Sequence, residues 1–564
     1  MKHYLPLLLL FLAACQPSDK VDTDFTALSD EYLTVYMDNN PQTAVYLGLH
    51  EYDSKLVVPT QANIARRLSQ LQHYDSAFAK LDTSQLSPDL KIDYKLLTAA
   101  IKNDIYSIVD RKVYENPLNY SVAFNSYIER NFAPAEERLK SAVALAKQVP
   151  AYYEAAKKNI GPSPAREWVD LAIESARGSS QYIKSDVISA FSGIKNPALQ
   201  QELNQTMQAA AQASDAFADY LTQNVLPTAK GSFAIGLSNY KKMLRYNELL
   251  EIDPDSILAM GMHQIEKEKA EFAAAAKVID PSKTPAAVFQ TLQDEHPTAD
   301  SLIDDTRQQC EKIRQFLLDK QIISIPSEVR ATVTKTPESM VGATAAMNTP
   351  GPFEKPTASE AYYYITLPRK TWSAKESEEW LRQFNRYVTE IVTIHEAYPG
   401  HYVQFLHLNA SKASKIRKIF SSYAFVEGWA HYTEQMMLEE GFGATDPVTA
   451  AKYKMAQLSE SLLRYCRLVS SIQEHTHGWS VQQSTKFFMD NCYYAEKPAY
   501  EEARRGTFDP GYLSYSLGKL QILALRDEIK KKQGDRFKLK TFHDALLAQG
   551  MPPVSMIREV LLRE

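Results

Sequence analysis

His395-Glu396-Ala397-Tyr398-Pro399-Gly400-His401 interrupts a stretch of helical period that runs over 376–410. On a regular helix, residues six apart point about 120° apart, whereas residues four apart differ by about 40°. A straight helix would therefore bring Tyr402, not His401, to the side of His395. Pro399 lacks the N–H that would bond the His395 carbonyl, so the helix should kink, bulge or break there. Gly400 adds backbone freedom at the next position. We expect an irregular turn that returns His401 to His395. Spacing alone leaves open that the two histidines are unrelated and merely flank a kink.

Outward from this stretch, Glu427 follows in Glu427-Gly428-Trp429-Ala430. Two histidines, a carboxylate beside the first and a second carboxylate further on are the parts of a zinc hydrolase site. Neutral imidazoles and a carboxylate hold Zn²⁺ and leave one position for water. A remaining glutamate can take that water's proton as it attacks a carbonyl. His431, four residues past Glu427 on an expected helix, offers a competing half-site or a supporting or surface residue. Glu434 falls on the same face, where it would hydrogen-bond a ligand histidine or stand as a solvated acid.

His-Glu-Ala-Tyr-Pro-Gly-His with Glu-Gly-Trp-Ala resembles the bacterial family known as domain of unknown function 885, commonly lipoproteins and grouped with zinc metallopeptidases whose third ligand is a glutamate. Other segments are similar to that family too. They are Pro41-Gln42-Thr43-Ala44-Val45-Tyr46-Leu47-Gly48-Leu49-His50-Glu51-Tyr52-Asp53, Tyr362-Tyr363-Tyr364-Ile365-Thr366, His475-Thr476-His477-Gly478-Trp479-Ser480 and Leu513-Ser514-Tyr515-Ser516-Leu517-Gly518-Lys519. The chain departs from many relatives at Tyr402, where they carry a second histidine, and at Asp509-Pro510-Gly511-Tyr512, where they have Pro-Gly-Gln.

The resemblance implies a gluzincin-like zinc metallopeptidase acting on oligopeptides. Its ligands would be His395, His401 and Glu427, with Glu396 as the general base that passes the water's proton to the leaving amine. His475 and Tyr515 fall in resembling segments, and either can donate a hydrogen bond to an oxyanion. Arg504-Arg505 could clamp a substrate carboxylate, Arg505 above all, or form an ordinary surface charge pair. Two other functions stay open: a catalytically inactive lipoprotein binding module on the same scaffold, and a metal-dependent hydrolase of another amide or ester.

Residues 1–14 read as an export signal. Lys2 and His3 precede an apolar run from Leu5 to Leu12, too short to span a bilayer and ending in small residues. Leu12-Ala13-Ala14-Cys15 is similar to a lipobox, which makes Cys15 the lipidated first residue, with a polar linker completing 15–25. Gln16, not aspartate, follows it, which by resemblance to Gram-negative sorting implies a periplasm-facing lipoprotein of the outer membrane. An ordinary cleaved signal with an incidental cysteine is the alternative. Cys310, Cys466 and Cys492 remain, allowing at most one internal disulfide, and buried inert thiols are the simpler reading.

The formal net charge of −5 over 564 residues argues against nucleic acid, which needs a basic face. No other apolar run approaches a membrane span, so the lipid is the expected membrane attachment. Helical periodicity recurs at 26–38, 61–81, 89–111, 134–158, 165–192, 197–224, 255–278, 285–293, 299–320, 423–440, 446–476, 480–490 and 513–533. The clearest strand is 361–367, with a second at 328–334. Alternation puts Tyr363, Ile365 and Leu367 on a core face and Tyr362, Tyr364 and Thr366 opposite. That second face could line the cleft, with Tyr364 touching substrate, and an exposed strand edge could take an extended peptide; a plain structural hairpin is the alternative. The Gly/Pro-rich segment 341–360 should be irregular and divides an amino-terminal helical lobe, 26–340, from a catalytic helical lobe, 341–564. The expected fold is mainly α, with two lobes flanking a cleft as in helical zinc peptidases and a short β element before the His-Glu helix.

Overall fold

The computed structural model describes residues 17–337, 344–369 and 372–563; Cys15 and the leader lie outside them. The fold is mainly α, with one small sheet. Long helices form where the apolar period predicts them, among them Pro88–Val109, Pro197–Tyr220, Pro254–Ile279 and Pro447–Thr476. Each begins with a proline, whose missing N–H costs nothing in a first turn. Asn196, Asp253 and Asp446 then accept first-turn N–H groups as N-caps. Some short helices escape the sequence reading because their buried stripes are brief or made of small residues. Glu496–Gly506 buries only Ala499, Ala503 and Gly506.

The sheet runs in the order β1 (Thr332–Lys335), β3 (Tyr362–Ile365), β2 (Ala345–Asn348). β1 is parallel to β3 and β2 antiparallel to it. β2 lies inside the segment expected to be irregular. β3 is the central strand, paired on both sides, so no peptide can add to it as the sequence suggested. Its core face is as expected, with Tyr363 and Ile365 buried in the largest hydrophobic core.

That core gathers residues from Phe272 to Leu561. A second spans Met37 to Ala229, with Ala358 added. A third joins Tyr240–Ile265 to Leu462–Leu517, and a fourth joins Phe25–Ile108 to Ile416 and Met556. The helix Pro254–Ile279 packs along Pro447–Thr476, so the expected division at 340/341 passes through shared cores. Cys310, Cys466 and Cys492 are free and buried.

One helix crossing positions the site. Tyr423–Glu439, which carries Glu427, packs on Ser514–Gln533, which carries Tyr515. A Cβ on Gly518 would fall 1.7 Å from the Ala424 carbonyl oxygen, and one on Gly428 would fall 2.5 Å from the Gly518 backbone. The two backbones therefore touch, and only glycine fits at either position.

Candidate metal centre

The helix Arg386–Glu396 stops one residue after His395, and the next helix begins at His401. Between them Tyr398 N–H turns back to the Thr393 carbonyl and Gly400 N–H to that of Ile394. The Tyr398–Pro399 peptide is cis. A Cβ on Gly400 would lie 1.7 Å from the His395 carbonyl oxygen, so the turn admits glycine alone. Trp429 of the Glu427 helix donates its indole N–H to the Pro399 carbonyl at 2.9 Å. The irregular turn expected from Pro399-Gly400 is present. Tyr402 turns away from His395 and donates its hydroxyl to the Val329 carbonyl at 2.7 Å.

His395, His401 and Glu427 converge, with one ligand atom from each within 4.8 Å of the others. Glu427 Oε2 stands 3.5 Å from His395 Nε2 and 3.3 Å from His401 Nε2. In a tetrahedral zinc site with bonds of about 2.05 Å, ligand atoms stand roughly 3.3 Å apart. Glu427 Oε2 nevertheless makes no hydrogen bond, so it is an orphaned buried acceptor facing two imidazoles. The donor set and its spacing fit a divalent zinc-like ion.

His395 is oriented from behind. Its Nδ1–H donates to Glu434 Oε1 at 2.7 Å, and Arg464 holds the same oxygen at 3.3 Å. Glu434 is fully buried, which removes the surface-acid alternative. Burial and Arg464 press His395 toward neutrality, but Glu427 and Glu434 outweigh them and raise its pKa to about 9. Burial opposes ionisation of Glu427, yet His401 and His395 hold its carboxyl well below the usual range. Glu396 is partly exposed and makes no hydrogen bond or ion pair among the described residues. Its charge reaches Tyr363, whose hydroxyl is hydrogen-bonded to Thr393.

Tyr515 lies over the centre, its ring stacked 6.4 Å from that of His395. Its hydroxyl accepts from Arg505 at 3.3 Å, and Arg467 lies 5.0 Å over its ring. Tyr423, one helical turn before Glu427, packs edge-on to Tyr515 and accepts from Arg505 at 3.0 Å. Tyr423 also walls two cavities of about 470 and 630 Å³, which share Asn103 and Asn247 as well. Neither cavity is lined by the His-His-Glu group; Tyr423 and Tyr515 connect them to it.

Other expected residues lie elsewhere. His475 donates its Nε2–H to the Gly506 carbonyl at 2.8 Å and packs against Phe233. It stands eight residues beyond Arg467 on one helix, roughly 12 Å along its axis. Burial lowers its pKa to about 4. It touches none of the three ligands and is no oxyanion donor here. Tyr364 faces the side of the sheet opposite Tyr363, buried against Glu129, which corrects its assignment to the substrate. Arg504 turns to Glu174 at 2.6 Å, leaving Arg505 alone at the site. His431 is a buried packing residue, between Ser461 and the Tyr515 carbonyl, and not a surface one.

The sequence reading missed Tyr423, Arg464, Arg467 and Glu248. A signal existed for three: Tyr423 precedes Glu427 by one turn, and two arginines a turn apart interrupt an apolar helix. Glu248 gave none. Its carboxylate, fully buried and pushed up to about 7 by that burial, accepts from Ser422 and from the Ala424 N–H at 3.0 Å. It thereby caps the Glu427 helix from a distant part of the chain.

Fold and site together define a mainly helical protein with a largely enclosed His-His-Glu group that could hold a divalent metal. The chain belongs to the family described as bacterial protein of unknown function, DUF885, whose profile matches residues 41–561. A candidate lipoprotein of unknown function from Shewanella oneidensis has a similar structure, at TM-score 0.79 and 27% identity, covering 95% of this chain and 99% of its own. A candidate lipoprotein from Colwellia psychrerythraea shares the fold at TM-score 0.75 and 16% identity, covering 97% and 98%. No curated protein matches the chain. Among the described residues no helix is long and apolar enough to cross a membrane.

Proposed function

We propose that this chain is a zinc-dependent metallopeptidase that hydrolyses peptide bonds of oligopeptides. The observation that carries the reading is the orphaned Glu427 Oε2, set at tetrahedral ligand spacing from two imidazole nitrogens, beside an unpaired Glu396. When bound there by His395, His401 and Glu427, zinc supplies Lewis acidity, polarising a carbonyl and making water nucleophilic near neutral pH. The protein's own groups do the rest. Glu396 accepts the proton of the attacking water and delivers it to the departing amine. Glu434 fixes the His395 ring and tautomer. Tyr515 is held by Arg505, its ring stacked on that of His395, and its hydroxyl can donate to the oxygen that gains charge.

The leader 1–14 followed by Cys15, and two structural neighbours named as lipoproteins, support a lipid-anchored, periplasm-facing protein of the outer membrane. The zinc-loaded protein should cleave members of a mixed oligopeptide library, read by mass spectrometry. Glu396→Gln should keep one zinc per chain and lower kcat by about 10²–10⁴-fold. Full activity in that variant, or no cleavage by the zinc-loaded wild type, would overturn the reading.

A further inference from the structure

Arg505 lines neither cavity itself but bridges Tyr515, which stacks on His395, to Tyr423, which walls both cavities. Its Nη2 donates to the hydroxyls of Tyr423 and Tyr515, and its Nε and Nη2 both reach Asp509 Oδ2, at 3.3 and 3.1 Å. Nη1, with two further N–H groups, has no partner among the described residues. The side chain keeps 30% of its surface exposed. An arginine whose outer N–H groups are free is pre-organised for a planar oxyanion.

The surroundings favour a negative ligand. The larger cavity is lined by Arg111 and Lys112 against Glu115 and Asp509. Lys112 pairs with Glu115 at 3.5 Å and Arg505 with Asp509 at 3.1 Å, which leaves Arg111 without an ion pair among the described residues. An anionic end is thus attracted and an ammonium end repelled.

Distance sets the length of what is held. The Arg505 guanidinium carbon lies 5.6 Å from the Tyr515 ring centre, and that ring lies 6.4 Å from His395. Arg505 is therefore within about 12 Å of the metal ligands, a span of roughly three extended residues.

We propose that Arg505 binds the free α-carboxylate of the substrate, so that the enzyme releases one to three residues from the carboxyl end of oligopeptides. This rests on the peptidase reading above. It assigns an exopeptidase mode and makes Arg505 the residue that enforces it, with Tyr423, which walls both cavities, holding the guanidinium.

Two peptides test it, both N-acetylated and identical except that one ends in a carboxylate and the other in a carboxamide. Their affinities for the zinc-loaded full chain carrying Glu396→Gln are measured by calorimetry, and their cleavage by the wild type by mass spectrometry. The carboxylate form should bind at least tenfold more tightly and be cut within three residues of its end. Arg505→Gln, introduced beside Glu396→Gln, should erase the difference in affinity, and Arg505→Lys should restore part of it. Equal affinities, or equal cleavage of both peptides at internal bonds, would overturn the assignment while leaving the peptidase reading intact. Cleavage of neither peptide would instead remove the peptidase reading on which the assignment rests.

Discussion

His395 is gripped on the side away from Glu427 by Glu434, and Glu434 in turn by Arg464. A ligand imidazole held this way has its tautomer and ring orientation fixed, with Nε2 aimed at the ion and made a stronger donor to it. Glu434→Gln keeps the shape but removes the charge, and should weaken zinc binding about 10–100-fold, measured by competition with a chelator. Unchanged affinity would show that Arg464 and packing alone orient the ring. At this scale the sequence was most legible where neighbours are local. His395, His401 and Glu427 came from their motif, and Glu434 from its place seven residues past Glu427. Tyr364 failed because alternation tells which residues share a face but not which face meets the Glu396 helix. His475 failed because a motif position says nothing of how far a 30-residue helix carries it from the site.

The crossing of the Glu427 helix and the Tyr515 helix is an element-scale device. Gly428 and Gly518 each belong to a segment singled out in the sequence, and each is there because the opposing backbone occupies the space of a side chain. Gly518→Ala should push the helices apart, lowering stability by about 1–3 kcal/mol and loosening Tyr515 over His395. Denaturant midpoints together with zinc affinity check this; an unchanged midpoint would mean that the crossing absorbs a methyl group. Helices were read well because an apolar period of 3.6 is a local signal. β2 was not, since Ala345-Ala346-Met347-Asn348 has little strand preference and is a strand only by pairing with β3.

Across the whole molecule, the amino-terminal segment is tied to the chain ahead of β3 by His50. Its Nδ1 meets Asp53 at 3.0 Å and its Nε2 meets Glu354 at 2.9 Å, with the ring stacked 3.5 Å from that of Phe132. Burial opposes protonation, but the two carboxylates outweigh it and raise the pKa from 6.5 to about 9. A raised folded-state value stabilises fully below the unfolded pKa and is lost as pH rises through the folded one. Melting temperature should therefore fall between about pH 6.5 and 9, and fall less steeply in His50→Gln. Parallel profiles for the two proteins would contradict the clasp. The overall architecture was the least legible part. All four cores draw on residues from both sides of 341, and no shift in composition announces such packing.

The central claim is that His395, His401 and Glu427 hold zinc. It is tested most directly by elemental analysis of the leaderless protein beside its His401→Ala variant. One zinc per wild-type chain, lost in the variant, is the predicted result. A wild type that carries no zinc and takes up none when it is added would contradict the account.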